Sequence, residues 1–196
     1  MHAHRLTLDL IAEPGPAFDP VALIPVFHRF IQTGALPWLL IDVADYRHVA
    51  QGPGVLLIGH EADLAVGERD GRVTLAYGQK RAESGDFDEH LRRAVDRLLT
   101  AARLLNAEPS LEALTFPTDR WQLTVRDRLT APNTAETLEQ LAPGLRQLFG
   151  ELYPDTTPEL QRVAGDPRRA FSVRLEAPEQ PGLGVLSERL AGAVVA

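Results

Sequence analysis

"WLLIDVADYRHVAQGPGVLLIGHEADL", residues 38–64, decides how the chain is read. Two runs rich in Leu, Ile and Val flank Gln51-Gly52-Pro53-Gly54, a turn-forming tetrapeptide far too short for a crossover helix. The pair is therefore expected to be an antiparallel hairpin. A further apolar run follows Asp70-Gly71, a tight-turn dipeptide, so strands are expected at 38–49, 54–67 and 72–80 as an antiparallel meander.

Upstream, "RLTLDLIA" at 5–12 alternates apolar and polar as a half-buried strand does. "FDPVALIPVFHRFIQTG" at 18–34 has helical spacing, with Asp19 placed to cap it, Pro20 suited to the first turn and Gly34 to the exit. Pro25 is expected to kink this helix, and its apolar residues on both sides call for cover on both. Downstream, Phe87, Leu91, Val95, Leu98, Ala102 and Leu105 mark a helix over 86–106, opened by a capping box of Asp86 and Glu89. Leu186, Leu190 and Val194 suggest a short docked helix in the tail, 181–196.

The second half of the chain looks like a copy of the first. Residues 13–31 lie over 131–149 so that Pro14 meets Pro132, Leu23 meets Leu141 and Pro25 meets Pro143, and a shift of 114 lays residues 47–62 over the stretch that starts at Gln161. The expectation is an α+β protein: one compact domain over 1–196 built from duplicated β-α-β-β units with antiparallel sheet. The halves span about 1–82 and 118–180, the connecting helix joins them, and 5–64 should superpose on 121–177. Paired β-α-β-β-β modules are also the architecture of the vicinal oxygen chelate superfamily, which this pattern resembles in outline. The long connecting helix and the missing last strand of the second half depart from it, none of its metal-ligand motifs is matched, and no function is carried over.

Composition narrows the function. Hydrophobic residues make up 44% and charged residues 24% of the 196, as in an ordinary folded domain. No secretory leader pattern and no span-length apolar run is visible, so a cytoplasmic protein without membrane partners is expected. With no cysteine, disulfides, thiolate metal sites and cysteine nucleophiles are excluded. The net charge of −7, with acids in excess in both halves, argues against nucleic acid as partner. Lys80 is the single lysine and reads as the solvated end of a strand.

The richest polar cluster is Asp42, Asp45 and His48 before the turn, with His60, Glu61 and Asp63 after it. A hairpin centred on residues 52 and 53 puts Asp45 opposite His60, and with Glu61 and His48 this would give a divalent metal nitrogen and oxygen donors. Strand alternation opposes that reading, because neighbouring residues point to opposite faces. In the second hairpin Arg162 and Arg174, near Arg168 and Arg169, have the forked donors that receive a carboxylate or phosphate. His28 reads as a buried or bordering histidine rather than a ligand, Trp38 and Trp121 read as core, and His2 and His4 share one strand face.

No phosphate-binding glycine loop, dinucleotide fingerprint or nucleophile elbow is present. The favoured function is a non-catalytic accessory protein that binds a small molecule or a protein, with no cofactor. Its rivals are a metal-assisted hydrolase-like enzyme using Asp45, His60 and Glu61, and a structural subunit acting as a homo-oligomer.

Overall fold

The computed structural model describes residues 5–69, 71–81, 84–166 and 168–192. It is an α+β fold with one large antiparallel sheet and four α-helices. Strands β1 (Leu6–Ile11), β3 (Leu40–Asp45), β4 (Val55–Gly59), β5 (Ala62–Arg69), β6 (Arg72–Gln79), β8 (Arg120–Val125), β9 (Glu159–Arg162) and β10 (Phe171–Glu176) form it in the order β3-β4-β5-β6-β1-β8-β10-β9. Two short strands, β2 (Glu13–Pro14) and β7 (Leu114–Thr115), pair separately. The helices are α1 (Leu23–Thr33), α2 (Phe87–Asn106), α3 (Ala135–Leu152) and α4 (Leu183–Gly192).

Strand alternation divides the sheet into two unlike faces. On one, the register runs Val43–Leu57–Leu64–Tyr77–Leu8–Leu123–Val173 across seven strands. Buried residues of all four helices, among them Phe27, Leu91, Leu145 and Leu186, join this row in one core. The opposite face runs Ala44–Leu56–Ala65–Ala76–Asp9–Gln122–Arg174, and none of the described helices packs on it. The sheet is thus covered on one side and open on the other.

Several local expectations hold for stated reasons. Asp86 and Glu89 form the reciprocal capping box of α2. The tail does make a helix, and its Leu186 and Leu190 are buried against α2 and α3; Val194 lies outside the described residues, as do His2, His4 and Asp70. Both tryptophans are core, the Trp38 indole donating to the Ala62 carbonyl at 3.1 Å. Val26 and Phe30 of α1 are buried, so the doubly apolar helix is covered.

Others require correction. Asp19 caps a single 3-10 turn, Pro20–Ala22, before α1 starts, so Pro25 falls in the first α-helical turn, where a missing N–H forfeits no bond. His28 is exposed rather than buried or bordering the core. The run 54–67 is two strands, because the chain reverses at His60-Glu61 and pairs Leu57 with Leu64. Neither turn residue has positive φ, so the Gly/Asn chemistry that announces a hairpin is absent here. The proposed superposition of 5–64 on 121–177 also fails on strand order, and the duplication is not confirmed. It set β4 over β10, yet β10 pairs directly with β8, whereas β5 and β6 lie between β4 and β1. The first half contributes five strands to the sheet and the second three, which ends the likeness to paired equal modules.

Beneath β8, Tyr153 is wholly buried; its hydroxyl donates to the Thr118 carbonyl and accepts from the Trp121 indole at 2.9 Å. Burial pushes this phenol up to about 12. Up to pH 10 the phenol is protonated in folded and unfolded chains alike. From pH 10 to 12 the unfolded chain releases that proton and the folded one does not, so stability should fall by about 2–3 kcal/mol over this window. Urea unfolding of the protein and of Tyr153→Phe checks this: the variant should lack that part of the alkaline loss, and identical pH profiles would refute it.

Candidate anion-binding site

Arginine recurs at open-face positions on four strands. Arg69 ends β5 and Arg72 begins β6, and the two are register partners. Arg120 begins β8 opposite Glu176, while Arg174 on β10 lies opposite Gln122. Asp9 is central on β1, next to Gln122 across the β1–β8 ladder. These side chains surround a cavity of about 80 Å³ with Thr74 and Ile11, comparable to the size of one small oxyanion.

The electrostatics of this pocket are unbalanced. Asp9, 1% exposed, accepts a hydrogen bond from Arg69 Nη1 at 2.9 Å. Arg120 forms an ion pair with Glu13 and lies 3.6 Å from Asp119. Among the described residues, the guanidiniums of Arg72 and Arg174 have no hydrogen-bond or ion-pair partner, and the Gln122 amide has none either. Four guanidiniums thus meet two lining carboxylates, Asp9 and Glu176, on a chain whose net charge is −7. Forked, weakly hydrated donors on a partly water-excluded floor are suited to binding an oxyanion. A second cavity of about 420 Å³ extends the open face from Arg69 towards Arg126, Arg5 and Lys80. Arg126 Nε donates to Thr7 Oγ1 at 2.9 Å, and Lys80 pairs with Asp63 at 2.7 Å.

The two arginines singled out in the sequence separate. Arg174 belongs to the pocket. Arg162 lies on the core-side row with Val173 and donates to the backbone and side-chain oxygens of Asn133 at 3.3 and 3.0 Å, tethering the loop before α3.

The acid and histidine cluster does not form one site. Asp45 pairs with Val55 rather than His60, because the connecting loop spans 46–54 and the hairpin centres near residue 50. Asp45 lies at one end of the β3–β4 ladder, while His60 lies beyond the other, its backbone N–H donating to Leu39 O at 2.8 Å. His48 is exposed on the long loop, and Glu61 occupies the opposite turn with His60. Among the described residues no three His, Asp or Glu gather closely enough to hold a metal ion. Asp45 instead accepts from the Arg47 backbone, Nε and Nη2 at 3.0, 2.9 and 2.7 Å. Those hydrogen bonds hold its carboxyl at about 2.

Arg69, Arg72 and Arg120 escaped the sequence reading, although alternation alone puts them on the face of Thr7 and Asp9 once each strand is placed. No family model, curated protein or solved structure matches the chain. Among the described residues no helix is long and apolar enough to cross a membrane.

Proposed function

We propose that the chain is a binding protein for a small ligand bearing a phosphate or carboxylate group, held on the open face of the sheet by Arg72, Arg174 and Arg69. The observation that carries this reading is the pair Arg72 and Arg174: two guanidiniums without partners among the described residues, beside a buried Asp9–Arg69 pair, in a pocket the size of an oxyanion. Thr74 and Gln122 add neutral donors to the floor. The separation of Asp45 from His60 removes the observation that motivated a metal-assisted enzyme at that hairpin. The open face lines its cavities with arginine and small residues and, apart from the edge of buried Trp121, with no aromatic ring, so it lacks the stacking platforms on which sheets bind single-stranded nucleic acid.

Calorimetric titration with inorganic phosphate tests the proposal. Binding should saturate, weaken as salt rises, and fall about tenfold or more in Arg72→Gln and in Arg174→Gln, as expected for loss of one charge-assisted contact. Both side chains point away from the core, so the variants should melt as the parent does. Absence of binding at millimolar phosphate, or unaltered affinity in the double variant, would overturn the reading.

A further inference from the structure

The anion pocket does not end at its arginines. Ile11, Arg72 and Arg120 also line an adjoining space of about 370 Å³, whose far wall is Pro14, Glu68, Gly71 and Val73. Those four residues in turn line a cleft of about 690 Å³ on the core side of the sheet. Through these shared lining residues the three spaces adjoin in turn beside the β5–β6 hairpin, from the open face to the helix-covered one.

The cleft differs in character from the pocket. Phe18, Tyr46, Val49, Val66 and Val73 give it apolar walls, and Tyr46 and Val49 remain 40% and 43% exposed. Arg47 at its rim is committed to Asp45 through the forked contact. Its volume is that of a small-molecule site, and it has the mostly apolar lining such sites have. One backbone feature marks the same wall: Gln51, at the tip of the loop, is the only described non-glycine residue with positive φ, at 58°. A side chain in that region is held against its own preference by the surrounding loop.

Resting on the anion-binding reading, we infer that the ligand is amphipathic: a phosphate monoester whose head takes the arginine pocket and whose apolar body lies over the hairpin end into the Tyr46–Val49 cleft. The dianionic head follows from charge complementarity, since two guanidiniums, Arg72 and Arg174, have no partner among the described residues. The apolar body follows from the continuity of the groove and from the exposed apolar side chains at its other end.

Octyl phosphate, kept below its micelle concentration, is the probe, compared by calorimetry with inorganic phosphate and with octanoate. Octyl phosphate should bind at least about tenfold more tightly than inorganic phosphate, a gain that burial of only two methylenes would supply. It should also bind more tightly than octanoate. Combining Val49→Asp with Tyr46→Ser, both at exposed positions, should abolish the octyl gain and leave the affinity for inorganic phosphate unchanged. Equal affinities for octyl and inorganic phosphate, or an octyl gain that survives in the double variant, would overturn the inference while leaving the anion site intact. Octanoate binding as tightly as octyl phosphate would overturn the assignment of a dianion. Failure of all three probes to bind would instead remove the anion-binding reading on which the inference rests.

Discussion

Gly54→Ala should destabilise the protein by about 3–5 kcal/mol, among the largest losses expected of any single methyl addition. Gly54 has φ of 75°, and a β-carbon there would lie 2.2 Å from the Val66 carbonyl oxygen and 2.5 Å from the Gly67 α-carbon. Both of those atoms belong to the backbone of β5, which is paired with β4 on one side and β6 on the other and has nowhere to retreat. Gly71 supplies the control. Its φ is 73°, the same left-handed conformation, but a β-carbon there meets nothing within 4 Å. Gly71→Ala should therefore cost only the conformational part, about 1 kcal/mol. Urea unfolding of the two variants separates clash from conformation. If Gly54→Ala loses no more than Gly71→Ala, the close approach of the 46–54 loop to β5 is not rigid.

That same approach explains which parts of the molecule were legible in the sequence. Elements whose signal is local were readable: the capping box at Asp86 and Glu89, the helical spacing that ends at Leu105, the alternation of β1, and the apolar spacing of Leu186 and Leu190. The meander was readable as antiparallel, but its register was not. Gly54 meets Val66 and Gly67 only after the chain has reversed at His60-Glu61, a turn whose one signal is the preceding Gly59, where a β-carbon would lie 2.3 Å from the Ala62 carbonyl oxygen. Missing one reversal turned two strands into one, moved the hairpin centre from near residue 50 to the Gly52-Pro53 pair, and placed Asp45 beside His60. A period-two signal specifies which face a side chain takes but not which residue it meets across the ladder.

The apparent repeat failed for a related reason. Matching leucines in α1 and α3 reflect what any helix needs when it packs on a sheet, and the matching prolines, Pro25 and Pro143, are tolerated at exposed positions. Such matches carry no information about strand order. The site was half readable: Arg174 was picked out for its forked donors, but its companions Arg69, Arg72 and Arg120 come from three other strands. Only the order β5-β6-β1-β8-β10 brings them together.

Asp9 and Arg69 give the second large effect, and the one that ties the pocket to the fold. Removing one partner of a buried ion pair leaves the other charge without compensation. Arg69→Met should therefore cost about 2–3 kcal/mol, below the upper range for such losses because the Arg69 side chain is 36% exposed and other guanidiniums line the same pocket. Changing both residues, Asp9→Leu with Arg69→Met, should recover most of that loss, since no buried charge is then left unpaired. The effects on binding should differ in sign. Arg69→Met removes a cation from the pocket and should weaken phosphate binding. Asp9→Asn removes the carboxylate that competes with the ligand and frees Arg69 to turn towards it, so phosphate binding should tighten even though the folded state loses its central charged hydrogen bond. A merely structural pair would make both single variants less stable and move affinity in neither direction. Stability by urea unfolding and affinity by calorimetry, measured on the same preparations, decide the matter: weaker binding in Asp9→Asn would show that the carboxylate assists the anion and would overturn the competitive arrangement of charge proposed for this pocket.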